Sequence, residues 1–284
     1  MGALSDLPAE LISSIVDYLY DDRDALGACA LVSRGFVARS QAHLFEHLGL
    51  RKGRCAFDYE RNSQGDIDAM RRYISSDPDG PLSYTRNLSI FPGSLTQPQD
   101  LEEIYDHWTT FKNVRELQVH LFAAHFVQGP LFLSRYLSHF QPTLRRLHLQ
   151  TSLENPKDLI TFITFFPLLE DVSIETLSLD LPSFPDNRSE GFRPELFPPL
   201  GGSLLLRGSR DENNFLMELA KVRIRYHTLS ICEPMVWMGL QELVIACAPT
   251  LRVLKITREI CEFFPLRFRA PLDYRITSLG SRHV

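Results

Sequence analysis

Leu144-Arg145-Arg146-Leu147-His148-Leu149 carries the pattern that decides the reading of most of this chain. Leu147 and Leu149 alternate with a polar residue, the period of two expected of a strand with one buried face. Leu144 adds a third apolar anchor just upstream. The same spacing returns at Val114-x-x-Leu117-x-Val119, Leu169-x-x-Val172-x-Ile174 and Leu251-x-x-Leu254-x-Ile256. Three further copies keep only the closing pair: Leu88/Ile90, Leu204/Leu206 and Leu229/Ile231. From middle residue to middle residue the spacings are 29, 30, 25, 32, 25 and 25.

Helical stripes lie between these strands. Leu101, Ile104, Tyr105 and Trp108 form one; Leu133, Leu137 and Phe140 a second; Leu159, Phe162, Ile163 and Phe166 a third. Phe215, Leu219 and Val222 form a fourth, and Val236, Leu240, Leu243, Val244 and Cys247 a fifth. Units of one strand and one helix that bury apolar faces only against their neighbours have to stack. The region resembles the degenerate leucine-rich repeats that follow many F-boxes, particularly in fungi. It departs from them three residues beyond the third apolar position, where Asn or Cys is expected. Phe122, Ser152, Leu177, Pro234 and Glu259 stand there instead. Turn backbone groups then need other partners, and an irregular curve is expected. An ordinary α/β domain with parallel strands and crossover helices is the alternative reading of the same residues.

Residues 180–203 interrupt the pattern with Pro182, Pro185, Pro194, Pro198, Pro199, Gly191, Gly201 and Gly202, a composition of neither helix nor strand. Phe184, Phe192 and Phe197 within it are candidates for gripping a substrate, or rings that fold back on the repeats. After Ile256, Phe263, Phe264, Leu266 and Phe268 keep some apolar character without a further clean repeat. That tail reads as a cap on the open end, or as the end of a chain shorter than its relatives.

Residues 1–50 read differently. After Leu7-Pro8, the apolar residues Leu11, Ile12, Ile15, Val16 and Leu19 recur at helical spacing, with Pro8 suited to a first turn. Asp21-Asp22-Arg23-Asp24 makes a turn, and a short helix follows through Leu26, Cys29, Ala30 and Val32. Ser33 caps a third helix carrying Phe36, Val37, Leu44, Phe45 and Leu48. Three helices of this size hold little core of their own, so such a bundle is a candidate for completing its core on a partner.

Leu7-Pro8-Ala9-Glu10-Leu11, Ile15-Val16, Leu19, Leu26 and Leu31-Val32-Ser33-Arg34-Gly35-Phe36 resemble the F-box from end to end. The resemblance implies docking on a Skp-family adaptor, with Leu7, Pro8, Leu11, Ile15, Leu26, Val32, Ser33 and Phe36 at or just beneath the contact. Tyr20 stands where the family often has Pro, and Phe36 where Trp is frequent. Neither changes the hydrophobic pattern.

His43-Leu44-Phe45-Glu46-His47 satisfies H-x-x-E-H, a metallopeptidase signature in which two histidines one turn apart hold zinc beside a general base. Leu44, Phe45 and Leu48 need the same helix for packing, which leaves His43 and His47 as solvated flank residues and no metal site. His120, His125 and His148 are scattered near strand ends, and the chain holds no nucleotide-binding Gly-rich loop, no G-x-S-x-G and no Cys/His pair of catalytic pattern. No cofactor and no catalytic residue are expected.

With 30 basic and 35 acidic residues, the net charge of −5 gives no reason to expect nucleic acid or an anionic membrane as the main partner. No run of apolar residues is long enough to span a bilayer. The N-terminus lacks the basic and apolar regions of a secretory signal. Cys29, Cys55, Cys232, Cys247 and Cys261 are odd in number and scattered, as expected of reduced thiols in a cytoplasmic or nuclear protein.

These readings combine into an α+β multidomain protein. An all-α F-box three-helix bundle over 1–50 and a helical bridge over 51–81 precede an α/β leucine-rich-repeat-like solenoid over 82–284. The expected role is a non-catalytic substrate-recognition adaptor of a Skp–cullin–F-box ubiquitin ligase. It would hold an unknown protein substrate near the transfer machinery, so that catalysis comes from proximity. The alternatives are a Skp-bound scaffold or regulator that recruits no ligase and, resting on His43-x-x-Glu46-His47 alone, a zinc metallopeptidase.

Overall fold

A computed structural model describes residues 7–51, 65–66, 80–90, 108–120, 137–151, 156–176, 200–207, 212–222, 224–232, 237–257 and 274–277. Contacts divide the chain into two compact units, one ending at Leu117 and the other starting at Gln118.

In the first unit, helix α1 (Ala9–Tyr18) starts on Pro8, whose carbonyl accepts the Leu11 and Ile12 N–H groups at 3.0 and 3.1 Å. Asp22 caps α2 (Arg23–Val32) by accepting the Ala25 N–H at 2.9 Å. Ser33 alone separates α2 from α3 (Arg34–Glu46). Its extended backbone breaks the helix, and its hydroxyl accepts the Gly35 N–H at 3.3 Å. Ile12, Val16, Leu26 and Phe36 form the buried core of this segment, with Leu7, Leu19, Cys29 and Leu44 packed partly against it.

Strand β1 (His47–Arg51) follows α3 with no intervening residue. It pairs in parallel with β2 (Gly65–Asp66) on one side and with β3 (Asn87–Ile90) on the other, Leu48 opposite Leu88 and Leu50 opposite Ile90. Leu82, Leu88, Ile90, Trp108, Phe111, Val114 and Leu117 are buried in this unit, and the Trp108 and Phe111 rings lie 5.9 Å apart. Strand β4 (Glu116–His120) begins where the unit ends.

The second unit alternates strand and helix. Strand β5 (Arg146–Thr151) leads to α4 (Pro156–Thr164), then β6 (Asp171–Thr176) and β7 (Leu200–Arg207). Helix α5 (Glu212–Ala220), β8 (Ile224–Cys232), α6 (Trp237–Cys247) and β9 (Val253–Thr257) follow. From β5 to β9 every neighbouring pair is parallel, and Leu147, Val172, Leu204, Leu229 and Leu254 stand in one row across them. Strand β10 (Tyr274–Thr277) closes the edge antiparallel to β9. Helix α4 packs on α5, α5 on α6, and α6 on β8. Leu147, Leu149, Val172, Ile174, Leu204, Leu206, Leu229 and Ile231 are buried along these strands. Phe162 of α4 and Phe166, just beyond its end, meet edge to face with ring centroids 5.5 Å apart.

This architecture corrects the expected fold class. The fold is α/β, with parallel strands and helices in alternation, and not an α+β arrangement of an all-α F-box three-helix bundle followed by a leucine-rich-repeat-like solenoid. The N-terminal helical segment is short and shares its compact unit with β1, β2 and β3. The error has a physical source. Period-two alternation fixes a strand with one covered face, and it reads alike in any parallel sheet clothed by helices on that face. Leu48 continues the apolar spacing of the third helix, yet it belongs to β1.

Of two stripes read as helices only the ends are described: Trp108–Thr110 and Ser138–Phe140 are 3-10 turns, Leu137 just before the second is helical, and Leu101, Ile104, Tyr105 and Leu133 lie outside the described residues. Residues 200–203 of the Pro-rich stretch, expected to be neither helix nor strand, are the first half of β7. Their glycines serve a bulge, with Gly202 at φ 76° and a register shift between Gly202 and Ser203. Phe184, Phe192, Phe197, His125, most of the expected bridge and most of the tail lie outside the described residues.

Successive strand entries are tied to one another by backbone hydrogen bonds, while the positions of the expected Asn ladder (Phe122, Ser152, Leu177, Pro234 and Glu259) lie outside the described residues. The Glu46 carbonyl accepts the Arg86 N–H at 3.0 Å, and the Arg86 carbonyl accepts those of Arg115 and Glu116 at 2.8 and 3.0 Å. In the second unit the Arg145 carbonyl accepts the Glu170 and Asp171 N–H groups at 2.8 and 3.0 Å, and the Glu170 carbonyl accepts that of Ser203 at 2.7 Å. Side chains join in from upstream of the strands: Asn113 Nδ2 donates to the Ser83 carbonyl at 2.8 Å, and Gln141 Nε2 to that of Phe165 at 3.0 Å.

Candidate docking surface

Helix α1 is apolar over more of its circumference than its own unit covers. At about 100° per residue, Leu11, Ile15 and Tyr18 fall in one row, and Ile12, Val16 and Leu19 in the row beside it. The second row faces the core, where Ile12 and Val16 are buried. The first stands in solvent, with Leu11 51% and Ile15 44% exposed. Helix α2 divides in the same way: Leu26 is buried, while Leu31 is 90% and Val32 62% exposed. Single exposed apolar side chains are ordinary on protein surfaces, but rows of them mark contact sites.

The residues that the F-box resemblance implicates occupy three kinds of position. Pro8, Leu11, Ile15 and Val32 are exposed; Leu26 and Phe36 are buried directly beneath; Leu7 and Ser33 are half-buried. Ser33 is committed to capping α3. Phe36 holds the third helix in the core, and Ile12 Cδ1 would lie 3.2 Å from a Cβ at Gly35, so the helices meet closely there.

An ion cluster fixes α1 to α3. Asp17 accepts Arg39 Nε at 2.5 Å and Nη2 at 2.8 Å, and His43 Nε2 lies 2.7 Å from the same carboxylate. Hydrogen bonds from Arg39 and then His43 hold the Asp17 carboxyl well below the ordinary carboxylate range, at about 2. Glu46 lies 3.9 Å from His43 Nδ1 and 3.5 Å from Arg86 Nη1. The sequence signalled none of these partnerships beyond the helical spacing of Arg39, His43 and Glu46 along α3.

This cluster also settles how the H-x-x-E-H residues are used. His43 is not a solvated flank residue: its side chain is mostly buried against Asp17. His47 has left the helix for β1, where Asn87 Nδ2 lies 2.8 Å from its Nδ1. The two imidazoles do not share a helix face, and the described residues contain no group of three potential ligands that could hold a metal ion. No described helix is long and apolar enough to cross a membrane.

No protein-family model matches this chain, and no curated protein matches it.

Proposed function

We propose that this chain is a non-catalytic substrate-recognition adaptor of a Skp–cullin–F-box ubiquitin ligase, with α1 and α2 docking on the Skp-family adaptor. The observation that carries the reading is the exposure of Leu11, Ile15, Leu31 and Val32 beside a small described apolar core of Ile12, Val16, Leu26 and Phe36. Those residues lie in the segment whose order of anchors resembles the F-box. A segment that leaves this much apolar surface in water gains from burying it on a partner, at roughly 25 cal/mol per Å². The strand-and-helix region that follows would present a protein substrate, and ubiquitin transfer would be accelerated by proximity.

The test is a pull-down with a recombinant Skp-family adaptor. Substituting Leu11 and Ile15 together by Ser removes two exposed anchors, each carrying about 2 kcal/mol if the site is an interface, without touching the core row. Capture should be lost while the thermal transition stays in place. Capture at the wild-type level would reject the docking reading. Co-purification of a cullin with the captured complex separates the ligase adaptor from a Skp-bound scaffold.

A further inference from the structure

The charge of this chain is unevenly spread over the second unit. Strands β7, β8 and β9, with Leu251 and Arg252 leading into β9, carry Arg207, Arg225, His227, Arg252 and Lys255 and no Asp or Glu. The chain as a whole has a net charge of −5. On the neighbouring strand entries the acids are already engaged: Glu170 with Arg145, and Asp171 with Arg146 at 3.4 Å and with the Ser203 hydroxyl at 2.5 Å. Arg225, His227, Arg252 and Lys255 are all exposed, and among the described residues none of them is in an ion pair.

Strand geometry brings three of these side chains together. Arg225 stands opposite Gly201, which offers no side chain to cover it. The register then jumps, from Tyr226 opposite Gly202 to Thr228 opposite Ser203, which leaves His227 as the extra residue of a bulge. Bulges re-aim the residue they leave unpaired. The Arg252 N–H donates to the His227 carbonyl at 2.8 Å, so the third cation sits directly beside the bulge. Neighbouring strands lie about 4.8 Å apart, so Arg252 stands beside His227, with Arg225 two residues away along β8. Lys255, opposite Ser230, extends the strip along β9. Two guanidiniums beside a bulged imidazole, none of them ion-paired among the described residues, suit an oxyanion ligand.

We propose that the entry end of β8 and β9, through Arg225, His227 and Arg252, binds an anionic segment of a protein partner, its charge supplied by carboxylate or phosphate groups. This deepens the adaptor reading, and rests on it for the partner being a protein. It assigns the second unit a substrate class that the repeat pattern alone does not.

The experiment uses the full chain and three short fluorescent peptides: one rich in Asp and Glu, one neutral but phosphorylated on serine, and one neutral throughout. One or both anionic peptides should bind, with affinity falling as salt is added. The stronger of the two identifies the source of the charge. Arg225→Gln with Arg252→Gln should weaken that binding by about tenfold or more, with an unchanged circular dichroism spectrum. Lys255→Gln, a second exposed site, should weaken it by roughly threefold. Equal binding of the neutral peptide, unchanged binding in both variants, or tighter binding of a single-stranded oligonucleotide would overturn the proposal. Adaptor capture by the same variants separates the two readings. If peptide binding is lost and capture kept, the strip is confirmed as distinct from α1 and α2; if the wild type binds the anionic peptide but captures no adaptor, the ligand class stands and the adaptor reading falls.

Discussion

Asp17 on α1 and Arg39 on α3 meet through two hydrogen bonds, Nε and Nη2 of the guanidinium each donating to a different carboxylate oxygen at 2.5 and 2.8 Å. The pair is bidentate and therefore directional, unlike a contact between two flexible charges. It ties down the helix that carries the exposed Leu11 and Ile15, and His43 adds a third partner to the same carboxylate. The apolar docking row thus stands on a helix whose position is fixed by charge as well as by the small core beneath it.

The tie has a definite pH window. A carboxyl whose folded-state value is depressed contributes stability that is present above its unfolded value and lost as pH falls through the folded one. For Asp17 that window runs from 3.8 down to about 2. Asp17→Asn removes the contribution. Thermal unfolding of wild type and variant should differ by a constant amount near neutral pH and converge as pH approaches 2. A difference that persists unchanged to the lowest pH would show that the carboxylate is not the source. Both side chains are nearly half exposed, so solvent screening keeps the gap small.

The two faces of α2 predict opposite outcomes for the same chemical change. Leu26 is fully buried, and Leu26→Ala should cost about 2–4 kcal/mol through lost burial and the cavity left behind. Leu31 is almost fully exposed, and Leu31→Ala should change stability by no more than about 0.5 kcal/mol. Chemical denaturation of the two variants checks both. If Leu31→Ala is as costly as Leu26→Ala, the exposed row is not exposed in solution.

How far these features were legible in the sequence depends on the range of the interaction. Strands at Leu147/Leu149 and Val172/Ile174 announced themselves because alternation is a local property. Ser33 announced the third helix for the same reason. Strand β1 was hidden because Leu48 continues a helical spacing while Leu48 and Leu50 also alternate, and only pairing with Leu88 and Ile90 decides between them. The apolar stripe of α1 was visible, but its division into a covered and an exposed row depends on where α3 packs. The cationic strip was invisible because Arg225, His227 and Arg252 become neighbours only through the register of β8 and β9.

Cys247 offers a test of the second unit's core. Burial pushes its thiol up to about 11, so almost no thiolate exists near neutral pH in the folded chain. The thiolate is the form that alkylates. At pH 8 the peptide containing Cys247 should stay unmodified by iodoacetamide in the native protein and react fully in denaturant, as read by mass spectrometry. Rapid native labelling would mean that α6 does not seal the site against Tyr226, which is itself fully buried.

Gly202 is the position in β7 where a substitution is least tolerable. Its backbone lies at φ 76°, and a Cβ there would overlap the Glu170 carbonyl. That carbonyl cannot move aside cheaply, because it accepts the Ser203 N–H at 2.7 Å and so joins β6 to β7. Gly202→Ala therefore combines an unfavourable φ with a backbone clash and should destabilise the second unit by more than about 2 kcal/mol. Gly201→Ala, with nothing within 4 Å of its Cβ, should be nearly neutral for stability. The same pair of variants bears on the bulge that displaces His227. If the β8 bulge opposite Gly202 sets the position of the cations, Gly202→Ala should weaken anionic-peptide binding even at temperatures where the chain remains folded, while Gly201→Ala should retain it. Equal stability of the two variants would remove the steric argument, and with it the reason for a glycine at this point of the strand.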